Sequence, residues 1–330
     1  MQRNRDDSPP ADANYDHAHR AFLQAFLSQS VMTVDEIRPI LAKIMTAHHP
    51  DRPRMDGDIT QQAITSMVQA VNAKISPLDY EIRSAKDQHT NNTLTYALVN
   101  TTSDALTQLA TTFTADQIAY IKRLLDAMFD ENNTRKREVM AVRSMRAIQL
   151  AKAPRRDRQS QAGGDADATQ LEANVKGISQ IEADTVLATL VSQGFFHKSR
   201  HEYYSLAPRA LMELRAYLKE TYNDPPAEDD DEDSEPTIRI RDCEGCREIV
   251  TVGLRCSNRN CDVRWHDSCA TQYFNSQQRN ARRCPKCKAD WTGDQYVGER
   301  ADRTQSRSST GGRSSVAQRM NEDEEDDEDE

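Results

Sequence analysis

The sequence predicts an α+β chain of several domains, two winged-helix domains followed by a cross-braced two-zinc module of the RING-like kind. Three observations carry that prediction. All seven cysteines fall between positions 243 and 287, in pairs with zinc-ligand spacing. Two stretches ahead of them each set helical apolar stripes before a pair of short strand-like runs, the element order of a winged helix. The third is the placing of charge: outside two acidic runs the chain is mildly basic.

The 330 residues exceed one typical domain. Sixteen of the 53 acidic residues lie in two runs, seven in Glu228–Glu235 and nine in Glu322–Glu330, so 37 acids face 43 basic residues elsewhere and the remainder carries +6. The runs are too charged and too poor in apolar residues to pack, and the overall charge of −10 misleads about partners. Met1–Pro10 is polar, and no stretch of 18 or more apolar residues occurs, so a soluble intracellular chain with no membrane partner is expected. An odd number of cysteines without a secretion signal fits metal ligation better than disulfides.

Residues 1–13 are expected to be disordered, and the first winged helix to occupy 14–110. Phe22, Ala25, Phe26 and Gln29 begin a helical stripe. Thr33 and Glu36 read as a capping box before Ile37, Leu41 and Ile44, although Pro39 predicts a late start or a kink. A third helix is expected from Ile59 to Ala73, with Ile64, Met67, Val68 and Val71 on one face. Tyr80 and Ile82, turn residues at Asn91 and Asn92, then Leu94, Tyr96 and Leu98 at period two make a hairpin.

The second winged helix is expected over 111–223, with a flexible insertion at about 154–174. Thr114 and Gln117 cap a helix carrying Ile118, Ile121, Leu125 and Met128, and another helix is expected over roughly 135–150. Ser179 and Glu182 cap a helix with Val186, Leu187, Leu190 and Val191 inward, stopped by Gly194. A hairpin from Phe195 to Leu206 precedes a last helix opened by Pro208 and carrying Leu211, Leu214 and Leu218. An acidic linker at 224–237, the zinc module at 238–296 and a disordered acidic tail at 297–330 complete the chain.

The ligands run Cys-x2-Cys, nine residues, Cys-x4-Cys, four residues, His-x2-Cys, fourteen residues, Cys-x2-Cys. The cross-braced scheme gives one zinc to Cys243, Cys246, His266 and Cys269, and the other to Cys256, Cys261, Cys284 and Cys287. With four ligands each, both zincs are structural, and binding and folding are one event. The same ligand order occurs in PHD fingers, but Arg282 stands where those place an aromatic, and nothing from Ile238 to Cys256 is aromatic, so a methyl-lysine cage has no walls there. RING modules instead carry an aromatic four residues past the sixth ligand and a proline between the last two. Tyr273 and Pro285 stand there, with Lys288 after the final ligand. The conjugating-enzyme surface is therefore expected at Gly245, Tyr273, Pro285 and Lys288, where Gly245 departs from the usual Ile or Val and predicts a weak or partner-dependent grip. A RING-type ubiquitin ligase has no catalytic residue of its own; it acts by positioning.

Neither Ile59–Ala73 nor Ser179–Gln193 carries a basic residue, so protein contact is the expected use of both winged helices rather than groove reading. Basic charge gathers instead at Arg135, Lys136, Arg137, Arg143, Arg146, Lys152, Arg155, Arg156 and Arg158, a solvated face that leaves open a sequence-independent DNA contact.

Taken together, "HAHRAFLQAFL" after Tyr15, "TYALVNTTSDALTQLATTFTADQI", "YYSLAPRALMELR" and the zinc module resemble a known family over nearly all of residues 15–296. It is similar to the first non-SMC element of the structural-maintenance-of-chromosomes complex devoted to DNA repair, in a form like that of filamentous fungi. The resemblance implies a nuclear, chromatin-associated subunit in DNA repair and recombination, with winged helices docked on a MAGE-type subunit and a kleisin. It also implies a RING-type ubiquitin ligase stimulated by the MAGE-type partner. The alternative is a non-catalytic architectural subunit whose zinc module stabilises the assembly.

Overall fold

The first helix begins where the sequence offers a cap. Asp16 accepts the N–H groups of Ala18 and His19 at 3.0 and 3.2 Å, and α1 (His17–Ser28) follows with Phe22 and Phe26 fully buried. The structure is a computed structural model that describes residues 15–90, 93–101, 109, 111–152, 176–223, 238–276 and 282–303. The expected leader at 1–13, Asn91 and Asn92, the insertion at 154–174, the acidic linker at 224–237 and the tail beyond 303 lie outside the described residues. The chain divides into two compact units. One comprises Met1–Ile118, Gly164–His197 and Leu206–Tyr217; the other comprises Ala119–Gly163, Lys198–Ser205 and Leu218–Glu330.

In the first unit, α1 is followed by β1 (Val31–Thr33), α2 (Val34–His48), α3 (Gln61–Ile75), β2 (Tyr80–Lys86) and β3 (Leu94–Asn100). This is the winged-helix order, with an antiparallel sheet ordered β1-β3-β2 and Ile82 opposite Leu98. β1 was not foreseen, since three residues are too short to show a period. Thr33 and Glu36 form the expected capping box, the Thr33 N–H donating to Glu36 Oε2 at 2.7 Å. The expected late start is corrected: α2 opens at Val34 and holds Pro39 inside. Pro39 deprives the Asp35 carbonyl of its helical partner, a loss that falls on an exposed residue near the helix start.

α3 starts two residues later than expected because Thr60 is the cap, accepting from the Ala63 N–H at 3.2 Å. Ile64, Met67, Val68 and Val71 are buried as expected. Period two in β3 implied one buried face, yet Thr95, Ala97 and Val99 are buried too. β3 is the central strand, and α7 (Pro208–Glu213) packs on the β2–β3 hairpin.

The same order recurs in α4 (Ala115–Asp126), β4 (Val142–Arg143), α5 (Ser144–Gln149), α6 (Gln180–Ser192), β5 (Phe196–Lys198) and β6 (Tyr203–Leu206), with sheet order β4-β6-β5. The expected helix over 135–150 shrinks to α5. Residues 134–137 turn back on themselves, with the Thr134 N–H donating to the Arg137 carbonyl at 2.8 Å, and Glu138 bridges Asn133 and Val297. Good helix formers at Arg135–Glu138 are overridden by tertiary partners. In α6, Ser179 and Glu182 form the capping box, but Val191 is 37% exposed and Ala183 takes an inward place instead. Gly194 ends that helix at φ +72°. The single last helix is corrected to two, α7 opened by Pro208 and α8 (Arg215–Tyr222), with Leu214 buried at the break.

The zinc module lies in the second unit and builds β7 (Gly253–Arg255), β8 (Arg264–Trp265), α9 (Asp267–Ser276) and β9 (Tyr296–Val297), in sheet order β8-β7-β9. A Cβ on Gly253 would stand 2.1 Å from the Trp265 carbonyl oxygen, so only glycine lets the two strands meet. Val297 through Arg303, assigned to the tail from sequence, belong to this fold instead: Val297 is in β9 and the Gly298 N–H donates to the Glu138 carbonyl at 2.8 Å.

Candidate metal centre

Both Cys-x2-Cys pairs fold as the same turn. The Arg247 N–H donates to the Cys243 carbonyl at 2.9 Å and the Lys288 N–H to the Cys284 carbonyl at 3.1 Å. The Cys243 and Cys284 N–H groups donate onward to Glu248 and Ala289 at 2.8 Å each. Arg247 and Lys288 take φ of +62° and +60° to close the turn, which swings both thiols of each pair to one side.

The two expected sets come together as cross-braced clusters, Cys243, Cys246, His266 and Cys269 in one and Cys256, Cys261, Cys284 and Cys287 in the other, each with ligand atoms within 4.8 Å of one another. Cys256 and Cys287 sulfurs are 3.5 Å apart and those of Cys261 and Cys284 3.6 Å. A tetrahedral zinc with sulfur at about 2.3 Å needs sulfurs about 3.8 Å apart, whereas a disulfide needs about 2.05 Å. The donor sets therefore fit two zinc ions. His266 faces Cys246 through Nδ1 at 3.2 Å and gives its Nε2–H to the Ile249 carbonyl at 3.2 Å, which fixes Nδ1 as the ligand atom. Burial pushes the Cys246 and Cys256 thiols up to about 12. Burial opposes ionisation of Cys243 as well, but hydrogen bonds from His266 and backbone amides bring it down to about 6. All eight positions are filled by protein atoms, so no open coordination site remains for water and the centres are structural.

Behind the clusters lies a charge network that the sequence reading missed. Glu138 has a side chain only 1% exposed and pairs with Arg264, Arg255 and Arg241. Arg264 Nε donates to Glu138 Oε2 at 2.6 Å, and its Nη1 to the carbonyls of Cys261 and Val263 at 2.7 and 2.8 Å. Arg255 Nη1 reaches Glu138 Oε1 at 3.1 Å. Arg255 adjoins Cys256, Arg264 stands two residues before His266 and Arg241 two before Cys243, so one carboxylate steadies chain leading to both centres. Burial raises the Glu138 carboxyl, but Arg264, Arg255 and Arg241 outweigh it and hold the group below its ordinary value. The one signal in the sequence was an acid, Glu138, inside a basic run that only it and Asp157 interrupt.

A second tie joins residues after β9 to the winged-helix part of the same unit. Asp302 accepts from the Tyr203 hydroxyl at 2.6 Å, from Arg143 at 2.6 Å and from Arg137 at 2.9 Å. Arg146 pairs with Glu131 at 3.0 Å. Much of the basic run therefore serves internal pairs, while Arg155, Arg156 and Arg158 lie outside the described residues. α6 carries no basic residue and α3 only Lys74, in its last turn.

At the expected conjugating-enzyme positions, Gly245 is exposed and a Cβ there would stand 3.0 Å from the Trp265 ring and 3.2 Å from the Cys269 Cβ. Trp265 occupies the space that a branched residue needs, and it stacks on Tyr273 with ring centroids 4.7 Å apart. Phe274 and Trp291 continue the aromatic row. Pro285 is half-buried, and the Lys288 Nζ donates to its carbonyl at 2.8 Å.

The family model for the Nse1 non-SMC component of the SMC5-6 complex matches residues 19–214, more than half of the chain, and that for the RING-like domain matches residues 243–287. The human non-structural maintenance of chromosomes element 1 homolog is 23% identical over 274 residues, 83% of each chain. The homolog of Bos taurus is 21% identical over 278 residues, again 83% of each. A chain of the solved Nse1-Nse3-Nse4 complex superposes with a TM-score of 0.60 at 20% identity, covering 84% of this chain and 97% of that one, a likeness of fold. Among the described residues no helix is long and apolar enough to cross a membrane.

Proposed function

Since the chain belongs to the family of the Nse1 non-SMC component of the SMC5-6 complex, we propose that it is a nuclear, chromatin-associated subunit that acts in DNA repair as a RING-type ubiquitin ligase. The observation that carries this reading is the closed two-centre module with Tyr273, Pro285 and Lys288 at its surface. The zinc ions, when bound, supply only rigidity. Tyr273, its ring fixed by stacking on Trp265, and Pro285 form the shelf for a conjugating enzyme. Lys288 closes the last zinc turn beside the arriving ubiquitin. Nothing in the module acts as nucleophile or general base; it restrains a loaded conjugating enzyme so that a lysine attacks the thioester. The winged helices serve as the docking platform for a MAGE-type subunit and a kleisin, the reading favoured by the likeness to a chain solved with Nse3 and Nse4.

The test is discharge of ubiquitin from a loaded conjugating enzyme onto free lysine, with the MAGE-type partner present. Tyr273→Ala is expected to lower discharge at least about tenfold with both zincs retained, the loss of one aromatic contact in a small interface. A second reading, an architectural subunit without ligase activity, is favoured by one observation: Trp265 fills the place of the missing branched residue at Gly245. On that reading no discharge appears across a broad panel of conjugating enzymes, while His266→Ala loosens partner binding.

A further inference from the structure

Beside the zinc module, and within the same unit, a cleft of about 770 Å³ is walled by four arginines and is not used by the metal centres. Arg239 is paired with Asp130, and Arg241 with Asp262 at 3.3 Å and Glu138 at 3.5 Å. Arg135 and Arg259 are exposed, and neither guanidinium has a carboxylate partner among the described residues. Two uncommitted guanidiniums in a concavity, backed by two committed ones, make a site that attracts anions.

The walls distinguish between kinds of anion. Asp130 and Asp262 stand among the arginines, so a continuous chain of phosphates meets repulsion without offering either carboxylate a donor. An acidic peptide alternates side-chain carboxylates with backbone N–H groups, so it can satisfy both signs. Among the described residues no aromatic ring lines the cleft, which removes the stacking platform used by single-stranded nucleic acid. Ile238, 42% exposed at the rim, adds an apolar contact suited to a peptide.

We infer that this cleft is an acidic-peptide site, and that its occupant is the chain's own segment Glu322–Glu330, nine consecutive carboxylates. Asp302 lines a neighbouring cleft that shares Thr134 with the arginine cleft, so the last described residues run beside it. Glu322 lies 19 residues beyond Arg303, a span of up to roughly 65 Å at full extension, so the segment can reach the cleft. As part of the same chain it competes for the cleft without loss to dilution. Occupied in this way, the cleft withholds Arg135 and Arg259 from other anions.

The experiment measures fluorescence anisotropy of a labelled peptide spanning residues 319–330 against the full chain, the chain ending at Asn321, and that shortened chain with Arg135→Glu and Arg259→Glu together. Zinc content and melting temperature verify that all three are folded; both arginines are exposed, so the substitutions leave the core intact. The shortened chain is expected to bind the peptide saturably, more weakly as salt rises. The full chain and the charge-reversed chain are each expected to bind at least about tenfold more weakly, a difference of about 1.4 kcal/mol. Equal binding by full and shortened chains, or indifference to charge reversal, overturns the inference. So does mixed-sequence duplex DNA that binds the cleft and is not displaced by the peptide, which would reassign the site to nucleic acid.

Discussion

Replacing Glu138 by Gln keeps the volume of the side chain and removes its charge. In the parent, the carboxylate is 1% exposed and its main partners, Arg264 and Arg255, are 2% and 4% exposed. Stripping a buried ion pair of one member costs about 3–5 kcal/mol, because the remaining charge stays desolvated. Here two buried guanidiniums lose one carboxylate, which pushes the cost up. Arg264 keeps its bonds to the carbonyls of Cys261 and Val263, which pulls it down. We take about 4 kcal/mol for Glu138→Gln. With a urea dependence of about 2 kcal/mol per molar, the unfolding midpoint falls by about 2 M. The assay is urea unfolding followed by far-ultraviolet circular dichroism, with a colorimetric chelator reporting zinc release in the same samples. Zinc release should move with the unfolding midpoint, since the three arginines lie on chain leading to the ligands. Because the folded-state carboxyl is held below its ordinary value of 4.5, its contribution is complete above that value and disappears as pH falls through the lower folded value. Parent and variant should therefore converge in acid. A midpoint change under about 0.5 M at neutral pH would refute the reasoning, as would a gap between the two that persists undiminished at low pH.

Gly245→Ile, made to restore the residue usual in RING modules, should instead destabilise the first zinc cluster by about 1–3 kcal/mol, since its side chain meets Trp265 and Cys269; a variant with unchanged melting temperature and full zinc content would count against this. Cys261→Ser should drive bound zinc from two per chain toward none rather than to one, because neither cluster closes locally; elemental analysis showing one full zinc would contradict it. Tyr203 is held up at about 12, by burial first and by Asp302 next, so one tyrosine should ionise late in an absorbance titration at alkaline pH. With the folded value above the unfolded one of 10, that stabilisation is present below pH 10 and lost as pH rises toward 12. Tyr203→Phe should abolish the late step and cost about 1–2 kcal/mol near neutrality for the lost bond to a charged acceptor; a late step that survives the substitution belongs to another residue.

The elements that were legible in the sequence are those whose cause is local. Thr33 with Glu36, Thr114 with Gln117 and Ser179 with Glu182 announced their helices because a capping box is complete within four residues. The zinc ligands were equally plain, since a Cys-x2-Cys turn carries its own geometry. What escaped was decided at a distance. β1 and β4 exist through pairing with β3 and β6, and neither is long enough to alternate visibly. Residues 135–143 looked helical because Arg, Lys and Glu favour helices, yet Glu138 answers to Arg264, 126 positions away. Gly245 was read as a gap in a binding surface, and only the structure reveals Trp265 filling it.

The buried carboxylate also bears on genetics. A chain stopped before residue 238 would lose more than its zinc module: Glu138 would be stripped of all three arginines, and Tyr203, Arg143 and Arg137 would lose Asp302. What is left of that unit would be a damaged surface rather than a clean platform. A phenotype from such a truncation therefore conflates loss of the proposed ligase activity with a scaffold that has lost its footing, and single substitutions at Tyr273 or Pro285 are the alleles that separate the two.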